Sequence, residues 1–303
     1  MNVRRQLWTA CLLAPLAAQA EEPADGKQPQ ADYLGKVYRA EAEMHAFYRD
    51  AEHSQPLEFV DHPIMRWNNE GVWSGEVFVW TYAGRPEIIG CMLSGPAGNG
   101  RRNVFDEFHL LADSPIAPAD LQTHRRWAPE AGLKLELLSH AAKPPASAAA
   151  RLTQMRKISR EFTGHMQFRS PWELRLLPQP LFRYGDEQGD VRDGALFAYV
   201  WNLGTDPELI LLLECRRGAD GFAWHYAPVR FSNRELWLKY AGSEVWRVEA
   251  HQEPQGGVVT ALYTTAYART IPGKDPNPGE DPKPDDPNQD AVSKKSTKPA
   301  DSK

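Results

Sequence analysis

Hydrophobic residues recur along this chain with two different periods. In two long stretches apolar side chains return every three or four residues; the first begins near Tyr33 and the second covers residues 148–165. This spacing places the apolar side chains on one face of a helix, so each stretch predicts an amphipathic helix. The apolar positions are Tyr33, Leu34, Val37, Tyr38, Met44, Phe47 and Tyr48 in the first helix and Leu152, Met155, Ile158 and Phe162 in the second.

Shorter stretches after each helix have the composition of β-strands. Residues 77–82 and 196–201 are rich in aromatic and β-branched side chains, which suit a pleated surface. The other predicted strands are residues 87–93, 104–111, 208–215, 223–229, 235–239 and 244–249. Because the connections are short and a parallel crossover needs a dozen or more residues, the pattern predicts antiparallel meanders.

The two series of elements also match in sequence. The matching blocks are residues 57–67 with 174–184, 75–78 with 194–197, and 86–89 with 207–210. Within the first block, Leu57, Pro63 and Arg66 are identical to their counterparts. Since the three blocks recur in the same order, the sequence predicts an α+β protein built by tandem duplication of one unit, a helix followed by an antiparallel β-meander.

These patterns divide the chain into five parts. They are a signal peptide (residues 1–20), a first α+β repeat (31–140), a linker (141–147), a second α+β repeat (148–272) and a disordered tail (273–303). Ser147 at the end of the proline-containing linker is a suitable N-cap for the second helix. The tail is rich in proline and charge and has no aromatic residue, so it cannot offset its ordering entropy by burial.

The first twenty residues have the three features of a secretory signal peptide. Arg4 and Arg5 precede a short apolar run, and Ala18, Gln19 and Ala20 match the cleavage-site pattern. The run is too short to span a bilayer as a helix, and no later apolar stretch is long enough to do so. The sequence therefore predicts a protein exported to the periplasm or the cell exterior.

The second copy resembles a known family. Residues 172–184, the stretch Gly-Ala-Leu-Phe-Ala at 194–198 and the stretch Thr-Asp-Pro-Glu at 205–208 are similar to those of a family of exported, uncharacterised planctomycete proteins. The similarity covers most of the chain after the leader and is clearest in the second copy. The resemblance implies export and brings no activity, cofactor or catalytic residue with it.

Composition narrows the classes of partner and cofactor. The 303 residues carry a formal net charge of −5, which is opposite to the basic face that phosphate neutralisation requires, so nucleic acid is excluded as a partner. Beyond the leader the cysteines are Cys91 and Cys215, which either form a disulfide in an oxidising compartment or remain separate buried thiols. Their spacing does not indicate a structural zinc site, and no cofactor is predicted.

Two pairs of aromatic side chains are candidates for ligand binding. Trp80 and Tyr82 point to one face of their strand, and Tyr199 and Trp201 do so in the second copy. An aromatic row can stack on a sugar or a lipid, and it can equally pack beneath the amphipathic helix of its own repeat. The core interpretation is favoured, because each helix must bury its apolar face.

Charged side chains offer two further candidates. Arg66 and Arg183 occupy matching positions and could clamp a carboxylate or phosphate, although ion pairs with carboxylates such as Glu87 and Glu208 are favoured. Glu107 and His109 lie on the same face of a predicted strand and are a weak candidate for an acid–base pair or part of a metal site.

No recognised catalytic motif accompanies these candidates, since the sequence has no nucleophile elbow, phosphate-binding loop or zinc-protease motif. The leading hypothesis is a non-catalytic exported protein that binds a ligand, such as a glycan or lipid, or a protein partner. The binding surface would be a sheet face or the groove between the repeats. The alternatives are an extracellular or periplasmic hydrolase using His109 and Glu107, and a structural component of the cell envelope.

Overall fold

The structure is a computed structural model that describes residues 27–69, 72–119, 126–202, 204–252, 254 and 256–274. The predicted signal peptide, and the predicted tail from residue 275 onwards, lie outside the described residues. In the part of the chain that is described, no helix is long and apolar enough to cross a membrane.

Antiparallel strands make up most of the regular structure. In chain order the elements are α1 (Lys27–Glu43), β1 (Phe47–Tyr48), β2 (Glu58–Phe59), β3 (Met65–Asn69), β4 (Trp73–Tyr82), β5 (Arg85–Gly98), β6 (Arg101–Leu110), β7 (Ala117–Pro118), β8 (Glu136–Leu137), α2 (Ala148–Ser159), β9 (Phe162–Phe168), β10 (Ser170–Glu173), β11 (Arg175–Leu176), β12 (Phe182–Tyr184), β13 (Val191–Val200), β14 (Pro207–Gly218), β15 (Gly221–Arg230), β16 (Glu235–Tyr240), β17 (Ser243–Val248) and β18 (Tyr263–Pro272). The strands predicted from the sequence are all present, several of them longer than predicted.

Two six-stranded antiparallel sheets form the centre of the molecule. The first sheet has the order β18-β6-β5-β4-β2, with β3 also pairing with β4. The second has the order β11-β13-β14-β15-β8, with β12 also pairing with β13. A four-stranded sheet, β10-β9-β16-β17, and the short pair β1-β7 complete the pairing.

The layers follow from the alternation of apolar side chains along the strands. One face of the first sheet, including Val79 and Ile89, packs against one face of the second, including Leu196 and Leu212. We call these the inner faces. Helix α1 covers the outer face of the first sheet, and α2 with the four-stranded sheet covers the outer face of the second.

Both predicted helices are shorter than their apolar patterns. Helix α1 ends at Glu43, so Phe47 and Tyr48 lie in a strand. Helix α2 ends at Ser159, and residues 162–168 form β9, in which buried and partly exposed positions alternate at first. The prediction failed there because Phe162 fits both the helical spacing of the preceding residues and the two-residue spacing of the following ones. The predicted N-cap is confirmed, since the Ser147 hydroxyl accepts the Ala150 N–H at 3.3 Å.

The sheets do not follow the division of the sequence at residues 141–147. Strand β8 precedes the linker but pairs with β15 of the second sheet, and β18, at the end of the second predicted repeat, pairs with β6 of the first. Each sheet therefore takes an edge strand from the other half of the chain.

The disulfide left open by the sequence is not formed. Cys91 and Cys215 are both buried thiols. Cys91 lies on the inner face of the first sheet, whereas Cys215 lies in the core on the outer face of the second. The two side chains thus belong to different layers.

Removing β18 should destabilise the first sheet. Tyr263 and Ile271 are each 4% exposed in that strand, and burial of such side chains contributes roughly 1.5–3 kcal/mol apiece. The free energy of unfolding of a chain ending at Leu262 should therefore be at least about 3 kcal/mol lower than that of a control ending at Lys274. Denaturant unfolding followed by circular dichroism measures the difference, and equal stabilities would contradict the role given to β18.

Candidate functional site

The aromatic residues singled out in the sequence lie in or beside the core. Trp80 is fully buried and Tyr199 is 1% exposed. Trp80 donates its indole N–H to the His45 carbonyl at 3.1 Å, and Tyr199 donates its hydroxyl to the Ser159 carbonyl at 2.9 Å. Tyr82 and Trp201 are partly buried beside the same cores. The outer sheet faces that carry these residues are covered, so they do not form an open platform.

The two matching arginines form ion pairs, but with carboxylates other than those suggested. The Arg66 Nε lies 2.8 Å from Glu76 Oε1, because β3 pairs Arg66 directly with Glu76 on β4. Arg183 donates to both oxygens of Asp193 at 2.9 and 2.7 Å. Glu87 instead pairs with Arg85 at 3.0 Å. The arginine positions are therefore explained without a ligand.

A different aromatic row is open to solvent. Trp73 begins β4, whereas Phe105 and Tyr267 lie in the middle of β6 and β18, and all three are on the inner face of the first sheet. Trp73 is 36% exposed and Tyr267 is 51% exposed, with Phe105 partly exposed between them. The ring centroids are 5.9 Å apart in both contacts. We call these three residues the aromatic strip.

Gly95 determines how the indole of Trp73 lies. A Cβ added at Gly95 would come within 2.4–2.5 Å of three ring atoms of Trp73, so the ring rests directly on the glycine backbone. Glycine is the residue that permits such close approach. One face of the indole is therefore against the sheet while the side chain remains exposed.

Uncharged polar side chains flank the strip. Asn69 on β3 is paired with Trp73, and Asn103 on β6 is paired with Thr270. The Thr270 hydroxyl donates to Asn103 Oδ1 at 2.7 Å and lies 2.7 Å from the Tyr267 hydroxyl. All three flanking residues are partly exposed. The surface thus combines aromatic rings with amide and hydroxyl groups.

A buried polar network on the opposite face holds the strands that carry Trp73. The Tyr38 hydroxyl of α1 lies 2.8 Å from Ser74 Oγ and 2.6 Å from Ser94 Oγ. Arg102, 6% exposed, donates to Ser94 Oγ at 2.9 Å and to the Val72 carbonyl at 3.0 Å. Because Val72 and Ser74 flank Trp73, this network positions the backbone of the strip before any ligand arrives.

The predicted pair Glu107 and His109 lies next to the strip on the same strand and the same face. Both are buried, at 8% and 5% exposure. Glu107 accepts a hydrogen bond from the Tyr263 hydroxyl at 2.5 Å. Burial, reinforced by the negative charge of Glu208, raises the pKa of Glu107 to about 7.

Glu107 and His109 share a face but do not act on each other. His109 Nδ1 lies 2.7 Å from the Leu110 carbonyl, which can only accept, so Nδ1 carries the proton. Burial, assisted by the positive charge of Arg230, lowers the pKa of His109 to about 4, so the ring is neutral at neutral pH. Within the described residues no hydrogen bond joins the two side chains. The predicted dyad is therefore not formed.

Two other carboxylates, Asp206 just before β14 and Glu208 within it, lie close enough to Glu107 for their charges to interact. Burial raises the pKa of Asp206 well above its ordinary value, and the negative charges of Glu208 and Glu107 raise it further. Burial also raises the pKa of Glu208. Asp206 is partly exposed and Glu208 is buried, so this acidic cluster of three carboxylates extends from the core to the surface beside the strip.

The matching position in the first half of the sequence carries an ion-pair network instead. When the two halves of the sequence are aligned, Arg85 matches Asp206 and Glu87 matches Glu208. Arg85 binds Glu87 at 3.0 Å and Glu214 of the second sheet at 2.9 Å. The two matching positions therefore differ, since Arg85 lies in a neutralised ion-pair network and Asp206 lies in an acidic cluster. Perturbed carboxylates of this kind are common at functional sites.

No protein-family model matches this chain, and no curated protein or solved structure is significantly similar to it. The resemblance to exported planctomycete proteins stays a prediction. Geometry alone therefore identifies the aromatic strip and the adjoining acidic cluster as the candidate site.

Glu107→Gln should change how stability depends on pH. An ordinary glutamate titrates near 4.5, whereas Glu107 has a pKa of about 7 when folded, so its ionisation opposes folding as the pH rises between these values. Between pH 4.5 and 7 the free energy of unfolding of the wild type should fall by about 3 kcal/mol relative to that of the glutamine variant. Above pH 7 it should fall no further. Urea unfolding at several pH values measures this difference.

The control for that experiment is Glu58→Gln, which changes an exposed glutamate of the same sheet. Its difference from the wild type should vary little with pH. A pH-independent difference for Glu107→Gln as well would contradict the burial of an ionisable group at this position.

Proposed function

We propose that this protein is an exported glycan-binding protein whose aromatic strip stacks on the sugar rings of a neutral polysaccharide. The observation that carries the proposal is the exposed indole of Trp73 lying on Gly95, in one row with Phe105 and Tyr267. Export comes from the leader at residues 1–20 and gives such a surface access to extracellular glycans.

The chemistry of the strip matches that of a pyranose ring. The C–H face of a sugar is apolar and packs on an aromatic ring, while its hydroxyl groups need hydrogen-bond partners. Asn69, Asn103 and Thr270 supply amide and hydroxyl groups beside the rings. Since these groups and the strip are uncharged, a neutral glycan fits better than an anionic lipid or polymer.

The structure also supports the proposal that the two halves arose by duplication. Strands β2 to β6 have the same pairing order as β11 to β15. Trp67 packs against Gly75 in the first sheet as Tyr184 packs against Gly194 in the second. In the alignment Trp73 corresponds to Arg192 of the second copy. The strip is therefore not repeated, because Trp73 has no aromatic counterpart and Tyr267 comes from the second predicted repeat.

Trp73→Ala and Tyr267→Ala should each weaken binding to a neutral polysaccharide about 5- to 30-fold, because a stacked ring contributes roughly 1–2 kcal/mol. Calorimetric titration or affinity electrophoresis with soluble β-glucan, xylan and mannan measures the loss. The matched control is Trp246→Ala, which removes a partly buried tryptophan from β17 of the four-stranded sheet.

Gly95→Ala tests the platform without removing any aromatic ring. The added methyl would displace the indole of Trp73, whereas Gly218→Ala adds a methyl that meets only an ordinary contact at 3.5 Å. The first variant should bind more weakly and the second normally. A wild type that binds none of the neutral glycans would refute the proposal, and so would unchanged binding by all three strip variants.

The acidic cluster favours a second candidate, hydrolysis of the bound glycan. A carboxyl group with a pKa of about 7 is suited to act as a general acid at neutral pH, and Glu107 lies beside the strip on the same strand. The accompanying carboxylates are Asp206 and Glu208. In this proposal a second carboxylate, rather than His109, acts together with Glu107.

If the protein is a glycoside hydrolase, the wild type should release reducing ends from a polysaccharide that it binds. Glu107→Gln should lower that rate at least about 100-fold while binding is kept, since general-acid catalysis contributes about 10²–10⁴. His109→Ala serves as the comparison and should keep most of the activity. Binding without any release by the wild type would leave the protein a lectin.

A further inference from the structure

We propose that Glu41, His45 and Asp106 bind one zinc ion, which fastens the end of α1 to the outer face of the first sheet. The sequence predicted no metal, since its two cysteines lack zinc-site spacing and its histidine candidate was His109 with Glu107. Among the described residues this is a set of three ligand side chains whose donor atoms all lie within 4.8 Å of one another.

Local structure brings the three ligands together. Glu41 lies in the last turn of α1, and the turn continues through the hydrogen bond from the His45 N–H to the Ala42 carbonyl at 3.1 Å. A spacing of four residues places Glu41 and His45 on the same side of that turn. Asp106 lies on β6 between Val104 and Phe108, which face α1 in the same core.

The distances suit a tetrahedral ion. His45 Nε2 lies 3.2 Å from Asp106 Oδ2. Two ligands bound to zinc at about 2.0–2.1 Å with a tetrahedral angle are separated by about 3.3 Å. The imidazole and one carboxylate are therefore already spaced as a zinc site requires, and a side-chain rotation of Glu41 would bring in the third donor.

Burial and charge favour a cation at this position. Glu41 is fully buried and Asp106 is 1% exposed. Arg269 binds Glu41 Oε2 at 2.9 Å, and a carboxylate can hold an arginine on one oxygen and a metal ion on the other. The C-terminal end of α1 adds partial negative charge. A divalent ion would add positive charge beside the two carboxylates and the helix end.

Two contacts hold His45 in place, one to its backbone and one to its ring. Trp80 donates its indole N–H to the His45 carbonyl at 3.1 Å, and the imidazole packs edge-on to Phe108 with a centroid distance of 4.6 Å. Imidazole nitrogen and carboxylate oxygen are both zinc ligands, whereas calcium and magnesium prefer six or more oxygen ligands. The burial of the set indicates a structural ion.

The test is zinc stoichiometry in the intact protein. After treatment with EDTA and dialysis against ZnCl2, elemental analysis should find one zinc per chain in the wild type. His45→Ala should bind zinc at least tenfold more weakly. The matched control is His62→Ala, which alters an exposed histidine, 72% exposed, that lies 3.4 Å from Asp61 and should leave the stoichiometry unchanged.

Cobalt binding to the wild type keeps the proposal testable if His45→Ala fails to fold. Bound Co²⁺ should give the intense visible absorption of a four-coordinate ion and raise the unfolding temperature. Absence of zinc from the wild type, a weak spectrum of six-coordinate cobalt, or unaltered zinc affinity in folded His45→Ala would each overturn the proposal and leave two buried ion pairs.

Discussion

The fold depends on the contact between the inner faces of the two six-stranded sheets. Val79 and Ile89 of the first sheet and Leu196 and Leu212 of the second are all fully buried in this contact. Because each sheet also packs its outer face against a helix, neither has a face left for water except where the contact ends. The aromatic strip lies at such a place, on inner-face positions of the first sheet that stay accessible to solvent.

Charged groups lie at the edges of the contact between the two sheets, and their arrangement differs from one edge to the other. On one side Arg85 bridges the sheets through Glu214, and the Tyr184 hydroxyl also donates to Glu214 at 2.7 Å. Breaking such a buried pair leaves an uncompensated charge, so the network specifies how the sheets are aligned. At Asp206, which matches Arg85 in the sequence alignment, burial raises the pKa of the carboxyl group instead. An acidic cluster thus adjoins the exposed strip.

Local sequence patterns predicted the strands well and the aromatic strip poorly. The alternation in residues 77–82 and 196–201 correctly indicated strands, and the core interpretation of Trp80 was consistent with its burial. Alternation along the strand does not identify Trp73, because this residue begins its strand and its exposure depends on where the second sheet ends. Gly95 lies within β5, where it provides space for the indole.

The sequence by itself determined the antiparallel strands, the two helices and the side chains that share a strand face, since all of these follow from spacing between near neighbours. Only the tertiary structure decided which face meets the other sheet, which half of the chain supplies each edge strand, and that Glu41 and His45 lie beside Asp106. Alternation assigns a residue to one of two faces, but contacts between residues far apart in the chain decide what covers that face.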